Sequence, residues 1–281
     1  MRQKVTTVVE TLLMETEGGR MAPIPAGSQY VAMGSSFGAG PGLRPRAAGS
    51  PRRAGRSAGN YAHQVARALG LDLRDVTYSG ATTDDVLRTS ARGQLAQLEA
   101  VTPATRLVTV TAGGNDVGYL PRLTLASLPW PLRTLPKARA QIAGFGDPAA
   151  TDDRFAGVSC NLQAIAAGVR DRAPGARVLF VDYLTILPPA GQDAGPPPPA
   201  GIADWGRAVA ARLATTTGAA AQAAGAEYVA ASAASADHHA WSATPWTRRF
   251  HLSLRGGAPY HPNAAGMAAV AGLVLTTLET G

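Results

Sequence analysis

Five short runs rich in β-branched and apolar residues, each followed by a longer stretch of helical character, constrain this chain more than any other feature. The runs are QYVAM (Gln29 to Met33), RDVTYS (Arg74 to Ser79), RLVTVTA (Arg106 to Ala112), ARVLFVDY (Ala176 to Tyr183) and AEYVAA (Ala226 to Ala231). Parallel neighbours need a connection long enough to carry the chain back to the same end of the sheet, and a helix supplies it. RLVTVTA is almost continuously apolar or β-branched, as befits a strand covered on both faces. The pattern predicts an α/β fold, an open doubly wound sheet of about five parallel strands. Ligands of such sheets bind beyond the carboxyl ends of the strands. With 281 residues, 46% of them hydrophobic, one domain over 29–281 is expected, after an N-terminal extension over 1–28.

The helices are less evenly marked. Tyr61, Val65, Ala68 and Leu69 share a face of a helix starting near Asn60, and Gly70 is a natural stop. Thr82 or Thr83 can cap a helix that continues through QLAQLEAV (Gln94 to Val101). Further helices are expected over 153–172, around Trp205, Val209 and Leu213, and from Pro262 at the first helical position to Leu278. Residues 120–152, with scattered Pro and Trp, read as an insertion that helps cover a site. The Pro-rich run 188–201 reads as a stiff loop and a candidate lid. The single cysteine, Cys160, excludes an intramolecular disulfide and fits a buried helix face.

The net charge of +7 owes much to one stretch, RPRAAGSPRRAGRS, with Arg44, Arg46, Arg52, Arg53 and Arg56. Gly, Pro and Ser separate these arginines and no aromatic residue is interleaved. Stacking faces for bases are missing, so a solvated loop is expected rather than a nucleic-acid surface. Glu10 and Glu15 interrupt what would be the apolar core of a signal segment. No run of eighteen apolar residues offers a membrane span. The expectation is a soluble chain, cytoplasmic as given, with secretion left open by a leader further upstream.

Chemistry concentrates just after the strands. Gly34-Ser35-Ser36-Phe37-Gly38 fits the G-x-S-x-G pattern, but a single strand precedes Ser36, whereas several precede the nucleophile in the α/β-hydrolase fold. Neither a Gly-Lys-Ser/Thr nor a complete G-x-G-x-x-G follows, so a phosphate loop is a weak reading. A serine hydroxyl needs a base, a group to orient that base, and donors for an oxyanion. Gly80 can offer a backbone N–H after the second strand, Asn115 a side-chain N–H after the third, and His261 a base before the last helix. Each has a plain structural alternative as a turn, cap or loop residue.

Taken together, the stretches MGSSFGAGPG, VTYSGATTDDVL, TAGGNDVGY and YHPNAAGM resemble, in order, the four blocks of the SGNH (GDSL) hydrolases. The connecting segments resemble actinobacterial esterases and lipases of that family, from about Tyr30 to Leu278. The resemblance implies a three-layer α/β/α, flavodoxin-like fold and hydrolysis of a small ester or lipid through an acyl-enzyme, with no metal or organic cofactor. It implies Ser36 as nucleophile, His261 as base, and an oxyanion hole from the N–H groups of Ser36 and Gly80 and the side chain of Asn115. A carbohydrate O-deacetylase is an alternative with the same machinery, and a non-catalytic binding protein is another.

Two positions depart from the family pattern. Ser35 stands where Asp usually precedes the nucleophile, and Ser35 is itself a lesser candidate nucleophile. Ala258 stands where an Asp usually pairs with the histidine. A main-chain carbonyl near Ala258 can orient His261 in its place, giving a Ser-His dyad, or Asp237 of SADHHAWS can reach in. The neighbouring His238 and His239 have no third histidine at ligand spacing, so no metal is expected there.

Overall fold

The computed structural model describes residues 23–280, apart from 90–93, 193–194, 196 and 253–256. In chain order, β1 (Gln29–Gly34) leads into α1 (Ser36–Ala39), α2 (Tyr61–Leu69), β2 (Asp72–Asp75) and α3 (Thr83–Leu87). Then come β3 (Thr105–Thr111), α4 (Tyr119–Ala126), α5 (Trp130–Arg133), α6 (Pro136–Gly144) and α7 (Pro148–Arg172). The chain closes with β4 (Arg177–Val181), α8 (Ala200–Ala223), β5 (Glu227–Val229), α9 (Ala231–Ala234) and α10 (Ala264–Thr280).

All five strands are parallel, in the order β2-β1-β3-β4-β5. The predicted sheet is therefore present, and its direction of winding reverses at β1. That reversal opens a crevice between the loops leaving β1 and β3, where ligands of this fold bind. Helices α2 and α10 pack together, as do α7 and α8 with each other and α3 with α7. Strands β1, β3 and β4 are buried over nearly their whole length. Two phenols enter this core only because β3 carries hydroxyls to meet them. Tyr30 bonds Thr109 at 2.7 Å and Tyr61 bonds Thr111 at 3.0 Å. An unpaired buried hydroxyl would cost about 1–3 kcal/mol. At the far edge, buried Arg177 grips Glu227, with Nε 2.8 Å from Oε1, and also donates to the Leu278 carbonyl. This ties β4, β5 and the end of α10 together.

Several local expectations change. The second strand lies at Asp72–Asp75, earlier than Arg74 to Ser79. Thr77 donates from both its N–H and hydroxyl to Asp75 Oδ1, turning the chain out of the regular ladder. Thr82 does cap α3, in a reciprocal capping box with Asp85. The helix stops at Leu87 rather than running on, because Arg88 is extended; residues 97–100 form a separate 3₁₀ turn. Ala68 is exposed, and the buried face of α2 runs through Tyr61, Ala62, Val65 and Ala66. The insertion is helical, and α7 begins at Pro148 within it. Pro262 lies outside α10, since Asn263 caps that helix by accepting from the Gly266 N–H at 2.9 Å. Cys160 is exposed. The core face of α7 runs through Phe155, Val158, Leu162, Ile165 and Val169, and Cys160 falls about 200° from Val158 around the helix. Part of the Pro-rich lid candidate, 193–194 and 196, lies outside the described residues, as do residues 1–22 of the N-terminal extension.

Candidate active site

The end of β1 is held from three sides. Gly34 has φ +125°, and a Cβ there would lie 2.2 Å from the Thr111 carbonyl oxygen, so glycine is required by conformation and by space. The buried amide of Gln97 brackets the same residue, accepting from the Gly34 N–H at 2.6 Å and donating to its carbonyl at 3.1 Å. The Ser35 N–H donates to the Thr111 carbonyl at 2.8 Å, and the Tyr78 N–H to the Gly34 carbonyl at 2.9 Å. The loops leaving β1, β2 and β3 are thereby laced to one point. Ser36 follows as the first residue of α1, where backbone N–H groups have no partner within the helix.

Buried Ser36 meets buried His261 directly, with 2.7 Å between Oγ and Nε2. The other ring nitrogen, Nδ1, lies 2.7 Å from the carbonyl oxygen of Pro259. A carbonyl can only accept, so Nδ1 carries the hydrogen and Nε2 presents its lone pair to the serine hydroxyl. The orienting carbonyl is that of Pro259, not of Ala258. Tyr260, between Pro259 and His261, has φ +62°, the only positive φ of a non-glycine residue among the described residues. That turn swings the Pro259 carbonyl back under the ring that follows, and such a conformation costs about 1–3 kcal/mol in a residue with a side chain. Tyr260 is held in it by full burial and by a 2.7 Å bond between its hydroxyl and that of Ser127.

Burial pushes the His261 pKa down to about 4, the Pro259 carbonyl acts upward against it, and the positive charge of Arg248 acts downward. Arg248 is fixed against the same loop, donating from its backbone N–H to the His261 carbonyl at 3.0 Å and from its guanidinium to the Pro262 carbonyl at 3.2 Å. The imidazole is therefore neutral throughout the ordinary pH range.

Asp237 is exposed and bonds to neither nitrogen of His261; its charge acts on His239 instead. His238 stacks on Trp246 with ring centres 4.0 Å apart, and its Nδ1 meets the Thr244 carbonyl at 2.8 Å. His239 Nδ1 accepts from the Trp241 N–H. Among the described residues no three His, Cys, Asp or Glu side chains are grouped to hold a metal ion.

Asn115 donates one amide hydrogen to the Ala81 carbonyl at 2.8 Å, which joins the third loop to the residue after Gly80. Gly80 has φ +84° and nothing within 4 Å of where a Cβ would stand, so glycine is needed for its backbone angle and the space beside it is open. Asp116 holds the start of α3, accepting from the Thr83 N–H at 3.0 Å and from its hydroxyl. Ser35 is turned away from the histidine. Its hydroxyl lies 3.1 Å from that of Tyr183, which also accepts the Gly114 N–H at 2.9 Å. The Tyr183 ring packs on Phe37, and Phe37 on the His261 ring. Beside these loops a cavity of about 460 Å³ is lined by Arg44, Arg46, Arg52 and Arg56 together with Gly42, Gly257 and Ala258. The arginine-rich stretch is thus folded against the loops that carry Ser36 and His261.

The model of the GDSL-like Lipase/Acylhydrolase family matches residues 32–269, which takes in all four blocks. The chain belongs to that family. It is accordingly an ester hydrolase, and the non-catalytic reading is withdrawn. The hydrolase is 34% identical over 250 residues to Lipase 2 of Streptomyces coelicolor, covering 84% of this chain and 81% of that protein. It is 28% identical over 256 residues to a lipase of Streptomyces rimosus, covering 88% and 85%. Among solved structures it resembles phospholipase A1 from Streptomyces albidoflavus NA297, with a TM-score of 0.73 and 24% identity over 90% of this chain and all of that one. It also resembles the extracellular lipase of Streptomyces rimosus, with a TM-score of 0.72 and 24% identity over 89% of this chain and 99% of that one. These two likenesses establish the shared fold, the three-layer α/β/α arrangement expected of the hydrolase.

Sequence reasoning missed Gln97, Tyr183, Pro259 and Tyr260. Only Tyr260 carried a signal: it directly precedes the candidate base, and a buried phenol needs a partner.

Proposed function

We propose that the protein hydrolyses carboxylic esters of small or lipid substrates through an acyl-enzyme on Ser36, with His261 as its base in a Ser-His dyad. The observation that carries this reading is the 2.7 Å contact of Ser36 Oγ with His261 Nε2, backed by the Pro259 carbonyl on Nδ1. His261 takes the Ser36 proton as Oγ bonds to the ester carbon. The N–H groups of Ser36 and Gly80 and the free amide hydrogen of Asn115 hold the resulting oxyanion. The bond to the alcohol then breaks and His261 protonates the leaving oxygen. Water repeats the sequence, with His261 first as base and then as acid, and releases the carboxylic acid.

A carbonyl dipole fixes the tautomer of His261 but supplies no full negative charge to the imidazolium that forms. In a serine protease, losing the carboxylate alone costs about 10⁴ in turnover, about two orders less than losing serine or histidine. A dyad with a built-in carbonyl partner therefore has room to remain an effective catalyst. Lipid or fatty-acyl esters are favoured as substrates by the curated Streptomyces relatives, which are named as lipases. Action outside the cell fits the description of the Streptomyces rimosus structure as an extracellular lipase. Ser36→Ala and His261→Ala are expected to abolish hydrolysis of a short-chain nitrophenyl ester, and full turnover in the Ser36 variant would refute the assignment.

A further inference from the structure

Helices α5 and α6 bury little of their surface. No residue of α5 is buried, and Ala138 is the one buried residue of α6. Yet the segment is not polar. Trp130 is 68% exposed, Leu132 44% and Leu135 53%. Three of the five large hydrophobic side chains exposed among the described residues therefore fall within six consecutive positions. Single exposed apolar residues are ordinary, but a cluster on an element with no inward face marks a contact surface.

Its charge is one-sided. Between Asp116 and Asp147 the sequence has no Asp or Glu, while it holds Arg122, Arg133, Lys137 and Arg139. The ion pairs Arg56–Asp75, Arg88–Asp84, Arg177–Glu227, Arg207–Asp204 and Arg212–Asp152 all lie outside this segment. Arg122, Arg133 and Arg139 line a cavity of about 390 Å³ whose other walls include Ile142 and Ile202. The cationic rim and the apolar tip are thus parts of one surface. A second copy of the chain would bring these positive charges against each other. An anionic lipid surface offers the complementary charge and an apolar layer for Trp and Leu to enter.

The position also fits. Ser127, at the end of α4, holds the hydroxyl of Tyr260, the residue that precedes His261, and the apolar cluster begins three residues further on. We propose that α5, α6 and the turn between them adsorb the protein to an anionic phospholipid surface at the rim of the Ser36–His261 site. Adsorption itself needs no catalysis; only its purpose, presenting lipid esters to Ser36, rests on the function proposed above.

The test uses the full chain carrying Ser36→Ala, so that lipid is not consumed, with phosphatidylglycerol vesicles and phosphatidylcholine vesicles in a sedimentation assay. Phosphatidylglycerol should bind the protein more tightly, and added salt should weaken that binding. Trp130→Ser with Leu132→Ser and Leu135→Ser should lower partitioning about tenfold or more. Arg133→Gln, Lys137→Gln and Arg139→Gln should each lower phosphatidylglycerol binding about fivefold. In the Ser36 background the triple serine variant should keep its thermal unfolding midpoint, and in the active chain it should keep hydrolysis of a dissolved nitrophenyl ester. Equal vesicle binding by the triple variant would overturn the proposal. So would a dimer, seen by sedimentation velocity, that the triple variant abolishes. Vesicle binding without ester hydrolysis by the active chain would instead leave adsorption standing and count against the proposed function.

Discussion

The absence of a carboxylate beside His261 has a direct consequence for pH dependence. An imidazole with an ordinary pKa near 6.5 is about nine-tenths protonated at pH 5.5 and is then useless as a base. In this protein burial and Arg248 bring the His261 pKa to about 4, a change worth about 3 kcal/mol against the imidazolium. At pH 5.5 only about 3% of such an imidazole carries a second proton. The acid limb of kcat/KM, which reports the free enzyme, should therefore have its midpoint near 4. Activity at pH 5.5 should stay within about a tenth of its plateau. The assay is hydrolysis of an uncharged nitrophenyl ester, with nitrophenol read at its isosbestic wavelength, so that neither substrate nor signal titrates. A tenfold fall by pH 5.5 would refute the reasoning, because it would mean that His261 is hydrated or paired with a negative charge.

Folding stability should carry the same signature. The unfolded chain binds the His261 proton from about pH 6.5 downward and the folded chain only from about 4, so stability falls as pH drops through that window. Urea melts at pH 7 and pH 4.5 should show a smaller loss in His261→Gln than in the parent; an equal loss would count against the shift. Tyr260→Phe removes the hydroxyl that meets Ser127, while Ser127 still donates to the Leu123 carbonyl. It should cost about 1 kcal/mol of stability by urea denaturation and less than tenfold in kcat/KM. Gln97→Leu takes the side-chain acceptor from the Gly34 N–H, while the Gly34 carbonyl keeps the Tyr78 N–H, and should cost about 1–3 kcal/mol in the same assay. Asp237→Ala should leave ester turnover within about tenfold of the parent, since its carboxylate makes no contact with His261.

The strands and their order of chemistry were legible because a strand covered on both faces has little choice but a run of apolar and β-branched residues, as Leu107 to Val110 and Val178 to Val181 show. Side-chain hydrogen bonds that compete with the ladder are harder to foresee, and Asp75 with Thr77 moved the end of β2 in this way. Helix length after Thr83 was misread because propensity does not know that Gln97 must face Gly34 across 63 residues of chain. Cys160 was misplaced because α7 is long enough to offer two sides, and periodicity alone did not say which one met the sheet. The four blocks marked Ser36, Gly80, Asn115 and His261 as candidates by residue type and order, and the fold brings Ser36 and His261 into contact. What orients His261 depends on Tyr260 taking a backbone angle that non-glycine residues rarely adopt, so the sequence pointed one residue short, to Ala258 instead of Pro259.

The account stands or falls on Ser36 being activated by His261 alone. Labelling with a fluorophosphonate, followed by peptide mass spectrometry, tests this most directly. The adduct should map to Ser36, form at the parental rate in Asp237→Ala, and fall to background in His261→Ala. An adduct on Ser35, or undiminished labelling of the His261 variant, would contradict it.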